Sequence, residues 1–251
     1  NHKTEGDGAN GEVVLFHDTF NNFNTPNVPI CATRLLERLG YHVRLVDKRC
    51  CGRPMISKGM LGEAKNNAVW NVDQLAPYAE KGVSIVGLEP SCLLTFRDEY
   101  PEFLRTASAK RVAESSFLLE EFLAREQTAG KVTFNSKSSG RKALLHGHCH
   151  QKALVGTAPT VAVLKSAGFE VNEVDSGCCG MAGSFGFEKE HYDLSVTIGS
   201  RRLAPAVKGT GAEGDIVAPG ISCRQQIEHL TERKAKHPAE VLWESLERSE
   251  L

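Results

Sequence analysis

One phrase occurs twice in this chain, and it restricts the possible folds more than any other feature. Leu36 to Gly52 and Leu164 to Gly180, offset by 128 residues, align without a gap and share Leu, Gly, Val, Val, Asp, Cys, Cys and Gly, 8 of 17 positions. Each copy runs through a strand-like stretch into a sharp turn, as in Val171-Asn-Glu-Val-Asp-Ser-Gly-Cys-Cys-Gly180. An internal repeat of this kind implies one half-module used twice, each half bringing its Cys-Cys-Gly turn to a site of its own.

The elements around the repeat alternate in type. Val13 to Phe16 is a short apolar run that predicts a buried parallel strand. Apolar residues from Val28 to Leu39 fall at helical spacing, and Gly40 supplies a stop. Strands are then expected at Val43–Val46 and Val83–Leu88, with helices around Leu61–Ala79, Leu93–Leu104 and Val112–Ala124. The second half repeats this order, with strands at Ala143–Leu145, Val171–Val174 and Asp215–Ala218, a helix reaching Ala167 and another around Lys189–Leu203. Strands alternating with helices predict an α/β protein of two pseudo-repeated, Rossmann-like parallel-sheet halves with right-handed crossovers. The expected boundaries are a flexible linker at 1–12, a first module at 13–127, a Gly/Ser/Lys-rich linker at 128–141 and a second module at 142–251.

Composition narrows the partners. The net charge is −1 with both signs interspersed, so no basic stripe points to nucleic acid. No apolar run approaches the roughly 20 residues that span a bilayer. The opening residues contain no apolar export signal, so a reducing, cytoplasmic setting is expected, with any membrane contact made through partners. In that setting the eight cysteines point to metal or redox chemistry more than to structural disulfides.

The cysteines fall where such chemistry could be built. Cys149, the pair Cys178 and Cys179, and Cys223 each follow a predicted strand at its C-terminal end, the edge along which open parallel sheets form ligand sites. Four thiolates suit a [4Fe-4S] cluster or a structural zinc. Adjacent thiolates reach different irons of a bulky cluster more readily than one zinc tetrahedron, and Gly180 lets the backbone come close and offer its N–H to a sulfur. Zinc and an exchanging vicinal disulfide stay open as alternatives. In the first half Cys50, Cys51 and Cys92 correspond to Cys178, Cys179 and Cys223. No cysteine matches Cys149 there, and Asp18 or His17 is the expected substitute. Cys31 has helical apolar company and is expected in the core.

These phrases, with Glu89-Pro-Ser-Cys92 and His146-Gly-His-Cys-His-Gln151, resemble the cysteine-rich CCG domain of heterodisulfide reductase. The same domain occurs in the iron-sulfur subunits of glycolate oxidase, lactate utilisation and anaerobic glycerol-3-phosphate dehydrogenase. Asp18-Thr-Phe-Asn-Asn22, Glu89-Pro-Ser-Cys-Leu-Leu-Thr-Phe-Arg-Asp-Glu-Tyr-Pro101 and His237-Pro-Ala-Glu-Val-Leu242 are most similar to the C-terminal part of FAD-linked D-2-hydroxyacid dehydrogenases of D-lactate or D-2-hydroxyglutarate type. The resemblance implies an iron-sulfur electron-transfer module with one or two [4Fe-4S] clusters on Cys149, Cys178, Cys179 and Cys223 and on Cys50, Cys51 and Cys92. It implies FAD and ferredoxin-type clusters on a partner dehydrogenase module, and a quinone or carrier as downstream acceptor.

Two departures from the family pattern stand out. Each heterodisulfide reductase module ends in Cys-x-x-Cys, whereas here Cys92 is followed by Leu-Leu-Thr95 and Cys223 by Arg-Gln-Gln226. No Cys-x-x-Cys-x-x-Cys run and no flavin-binding domain is present either, so hydroxyacid oxidation is expected on another module.

The remaining motifs have plainer readings. His146, His148 and His150 crowd the strand end beside Cys149, and His148 is the expected neighbour of the cofactor, supporting a ligand or sulfur by hydrogen bonding. The glycines from Gly177 to Gly186 suit close approach to a cofactor better than a phosphate cradle. Arg97, Asp98 and Glu99 are expected to form a solvated face, and Trp70 and Trp243 to pack in a core or interface.

Overall fold

Val13, Val14, Leu15 and Phe16 are all buried, so both faces of this strand are covered, as in a parallel sheet with helices on each side. In the computed structural model, which describes residues 6–134 and 140–247, these residues belong to β1 (Gly11–Phe16). The chain divides into two compact units, residues 1–133 and 134–251.

In the first unit, β1 leads through α1 (Thr19–Asn24) and α2 (Asn27–Arg38) to β2 (Tyr41–Arg44), and α3 (Arg53–Ser57) and α4 (Leu61–Ala79) lead to β3 (Ser84–Gly87). Then α5 (Pro90–Arg97), α6 (Glu99–Leu104) and α7 (Ala107–Glu114) precede β4 (Ser116–Leu118) and α8 (Leu119–Thr128). All strand pairs are parallel, in the order β2-β1-β3-β4. The core between sheet and helices includes Leu15, Leu35, Leu36, Ile85, Leu93 and Leu118. Phe16 meets the edge of Phe96 at 4.7 Å, and Phe96 stacks on Tyr100 at 4.6 Å. Cys31 lies with Val28, Ala32, Leu35 and Leu36 on the buried face of α2, as its spacing predicts.

The second unit repeats the plan. β5 (Arg141–Leu145), α9 (Cys149–Leu154), α10 (Ala158–Ser166) and β6 (Phe169–Glu173) are followed by α11 (Tyr192–Arg201), α12 (Leu203–Gly209), β7 (Asp215–Val217), α13 (Ile221–Thr231) and α14 (Pro238–Glu247). Its parallel sheet has the order β6-β5-β7, the same central strand and the same flanks. A fourth strand is reduced to Lys236, whose N–H donates to the Ile216 carbonyl at 2.8 Å and whose carbonyl accepts from Ala218 N at 2.9 Å. The final helices begin alike in the two units. Glu121 accepts from Leu118 N at 3.3 Å and Glu240 from His237 N at 2.8 Å, each satisfying an N–H at the helix start.

Several element boundaries differ from the sequence reading. Gly11 and Glu12, assigned to a leading linker, are the first residues of β1. Thr128 closes α8 and Arg141 opens β5, while residues 1–5 and 135–139 of the two expected linkers lie outside the described residues. β2 and β6 start two residues before their apolar runs, because both are edge strands with one partner and exposed polar positions. Leu45, counted as strand, is 62% exposed. The helix expected over Val112–Ala124 is broken by β4. Three residues are too few to show a strand period, and Ser116 instead bonds its hydroxyl back to Val112 O at 2.7 Å. Arg97 and Glu99 are not a solvated face: Arg97 grips both oxygens of Glu121 at 2.9 and 2.8 Å, and Glu99 pairs with Arg53. Trp70 is 39% exposed, with the Arg49 guanidinium 4.4 Å from its ring centre.

The aromatic column fixes where stability lies in the first unit. Phe96→Ala should lower stability by about 3–5 kcal/mol, while Phe23→Ala, at a side chain 75% exposed, should change it by no more than about 0.5 kcal/mol. Urea unfolding of both variants tests the assignment.

Candidate metal centre

In each sheet the chain leaves the central strand for one side after its first crossover and for the other side later, which makes the central strand's C-terminal end a topological switch point. Loops leaving three neighbouring strands converge there, and every cysteine of the two expected sites lies in or just beyond one of those loops.

In the second unit, His148 caps α9. Its Nδ1 accepts from His150 N at 3.2 Å, while Gln151 Oε1 accepts from His148 N at 3.3 Å. This reciprocal cap places Cys149 at the first helical position, exposed. Cys178 and Cys179 follow β6, and Cys223 sits buried in the first turn of α13, after β7. The structure brings all four together. Cys178 lies beside both Cys149 and Cys179, and Cys179 also lies beside Cys223, so that each thiol feels the next. Cys179 and Cys223 are also part of the apolar core, with Val174, Met181, Ile216 and Ile227.

Gly180 makes the approach possible. Its φ is +98°, and a Cβ there would lie 2.2 Å from the Ser195 carbonyl oxygen. Its N–H donates to Cys178 Sγ at 3.3 Å. Gln226 Nε2 holds the same Ser195 carbonyl from the other side at 3.2 Å, which ties the turn to α11 and α13.

The electrostatics divide the four sulfurs. Cys178 is held well below the ordinary thiol range by the hydrogen bonds it accepts from Cys149 and Cys179, helped by the N–H groups of Gly180 and Ala182. Cys223 is held low by Cys179 and then by His146. Cys149 and Cys179 are pushed up by their thiol neighbours and by desolvation. Cys179 and Cys223 are buried, whereas Cys149 stays exposed.

A second ring beside these sulfurs, next to that of His148, is His146, the first residue past β5. His146 is 1% exposed. One atom each from His146, Cys179 and Cys223 lies within 4.8 Å of the others. His148 Nδ1 is spent on the helix cap, and its ring packs where a side chain on Gly220 would stand, 2.4 Å from Cδ2. One sequence signal could have singled out His146: a polar residue directly after the apolar end of the central strand, repeated in the first half as His17 after Phe16.

The first unit assembles Cys50, Cys51 and Cys92 in the same way, with Cys51 bonded to both others. Gly52, at φ +92°, forms the matching turn. Tyr100, fully buried, donates to Cys51 O at 3.0 Å and accepts from Asn71 Nδ2 at 2.9 Å, and Asn71 Oδ1 accepts from Arg49 N at 2.8 Å. The position of Cys149 is taken by Thr19, the first residue of α1. Asp18 caps this helix, accepting from Asn21 N at 2.9 Å and Asn21 Nδ2 at 2.8 Å. At Cys92 the neighbouring Cys51 favours the thiolate, but desolvation, helped by buried Asp18 and Glu89, outweighs it and pushes the thiol up to about 11. His17 is held neutral by burial and by Lys48. All three thiols stand above their ordinary range, the reverse of Cys178 and Cys223.

The "Cysteine-rich domain" family, CCG, matches this chain twice, over residues 14–97 and 145–228. The chain belongs to the CCG family. It is 32% identical to an anaerobic glycerol-3-phosphate dehydrogenase subunit of Escherichia coli K12, over 94% of this chain and 59% of that protein. It is 30% identical to D-2-hydroxyglutarate dehydrogenase of Pseudomonas putida over 94% of this chain and 22% of that protein. It is 32% identical to lactate utilization protein A of Anoxybacillus flavithermus over 92% of this chain and 98% of that protein. The chain therefore spans about three fifths of the first relative, about a fifth of the second and nearly all of the third.

The donor set of this CCG chain fits a four-thiolate group in the second unit. Four thiols converge from three strand ends, the Gly180 N–H points at Cys178, and Cys179 and Cys223 sit among apolar side chains. The first unit offers three sulfurs and a buried carboxylate. Backbone strain should separate two glycines of the second turn. Gly180→Ala should lose about 1–3 kcal/mol from conformation alone, with the Ser195 clash added, whereas Gly177→Ala, with no atom within 4 Å of the new Cβ, should unfold at the wild-type midpoint. Thermal melts of the two variants make the comparison.

Proposed function

We propose that this CCG chain is the iron-sulfur electron-transfer module of a flavin-linked dehydrogenase system acting on a 2-hydroxyacid. Cys149, Cys178, Cys179 and Cys223 hold a [4Fe-4S] cluster, with Gly180 and the helix cap at His148 shaping the turns around it. The observation that carries the reading is the convergence of four thiols from three separate strand ends, two of them tuned toward thiolate. When bound, such a cluster supplies one-electron transfer. The chain's own contribution is to hold the sulfurs, keep water away from Cys179 and Cys223, and direct backbone N–H groups at them.

The relatives support the division of labour. Two are named as dehydrogenases or as a dehydrogenase subunit, and each is longer than the part this chain matches. FAD and ferredoxin-type clusters would sit on the partner module, and a quinone or a soluble carrier would take the electrons onward. The expected setting is cytoplasmic. Among the described residues no helix is long and apolar enough to cross a membrane, so attachment to one would go through partners.

Cys50, Cys51 and Cys92 form a second, three-thiolate position in this reading. It offers one thiol fewer than the second unit and has Asp18 and Glu89 beside Cys92, so it should load less readily.

Protein purified anaerobically should contain iron and acid-labile sulfide, with an EPR signal after dithionite reduction. About four irons per chain means the second unit alone is loaded, and about eight means both are. Cys178→Ser should abolish the signal of the second unit. Thr19→Cys should raise iron in the first, because it restores a thiol at the place of Cys149. Stoichiometric zinc without visible absorption would replace this reading by a structural metal site. Metal-free protein with readily alkylated thiols and intact activity would replace it by thiol-disulfide exchange.

A further inference from the structure

We propose that His146 donates a hydrogen bond from Nε2 to the sulfur of Cys223, and so acts as a positioning residue that raises the reduction potential of the cluster in the second unit. The inference rests on the cluster reading above.

The ring is fixed before any cofactor arrives. His146 follows β5 directly and is buried, and its Nδ1 lies 2.8 Å from Ser176 Oγ. Ser176 is itself held, with its N–H on Val174 O at 2.8 Å and its carbonyl taken by Lys152 Nζ. Because Ser176 stands two residues before Cys178, the loop that delivers the vicinal thiols also sets the angle of the imidazole.

The other nitrogen is left over. Nε2 is fully buried and makes no hydrogen bond before a cluster is bound, and a ring nitrogen lies within 4.8 Å of the Cys179 and Cys223 sulfurs. A neutral imidazole carries one proton. If it sat on Nδ1, the Nε2 lone pair would be turned on electron-rich sulfur, which is repulsive. If Ser176 donates to Nδ1, the proton sits on Nε2 and points at the sulfurs, which is attractive. Of the two candidates Cys223 is the acceptor, since the His146 ring lies beside it and favours its thiolate.

The first unit lacks this device. His17 occupies the same place after β1, but its surroundings include Lys48 and Asp47, while the buried charges near Cys92 are Asp18 and Glu89. Both turns offer backbone N–H groups, but only the second unit adds a histidine ring beside its buried cysteine, where the first has Asp18 and Glu89. A donor stabilises the more negative, reduced state of a cluster and moves the potential upward.

The test is an EPR-monitored redox titration of the full chain, with iron content, for wild type, His146→Leu, His146→Gln and Ser176→Ala. His146→Leu should keep its iron and shift the midpoint downward by about tenfold in the reduction equilibrium, ~59 mV for a one-electron couple. His146→Gln, which retains an amide donor, and Ser176→Ala, which unlocks the ring, should shift it downward by less. Iron-free wild type would overturn the cluster reading and this inference with it. Iron-loaded wild type with unchanged potentials in His146→Leu and Ser176→Ala would overturn the donor role alone. Loss of iron from both His146 variants, with the helical circular dichroism intact, would make His146 a ligand and also overturn it. Should His146→Leu fail to fold, the potentials of the other two variants decide.

Discussion

The arrangement depends on bringing sulfurs distant in sequence to one point without leaving backbone polar groups stranded, and the parallel sheet is what allows it. With the central strand flanked as β2-β1-β3 or β6-β5-β7, three successive loops open onto the same edge. The strands need no help from the site, because their hydrogen bonds are made within the sheet. The loops can then be shaped by local devices: a reciprocal cap at His148, a left-handed glycine at Gly52 and Gly180, and a helix start at Cys92 and Cys223.

Burial of the thiols has a cost that is met differently in the two units. Taking a thiolate out of water is unfavourable unless donors replace the lost solvent. The second unit supplies them, through N–H groups at Gly180 and Ala182 and the ring of His146. The first unit turns the N–H groups of Gly52 and Arg53 toward Cys50 and Cys51 in the same way, while Tyr100 and Asn71 hold the carbonyls and amides of the turn. With Asp18 and Glu89 alongside, its thiols favour the neutral form.

Much of this was legible in the sequence, for physical reasons. The Cys-Cys-Gly repeat announced the duplication, and buried runs such as Val13–Phe16 announced a parallel sheet, because burial on both faces leaves an unbroken apolar stretch. The cysteine groupings followed from strand ends. Less legible was whatever depends on contacts across the fold. β4 is too short to carry a period, Arg97 and Glu99 look like surface charge until Glu121 and Arg53 are seen opposite, and Lys236 stands in for a strand that no pattern marks. Among three histidines in five residues, only the fold could tell which rings turn inward.

That last distinction bears on how a duplicated module diverges. The two units share topology, turn and three of four cysteine positions, so the scaffold alone cannot make their sites differ. The differences lie in single residues placed by the same backbone: Thr19 where the other half has Cys149, Asp18 where it has His148, and a histidine after the first strand that faces charge in one unit and sulfur in the other. Each alters the field at the sulfurs without touching the sheet. A repeat built this way can keep one fold while giving its two sites different affinities for metal and different potentials, since the residues that set those properties lie outside the sheet.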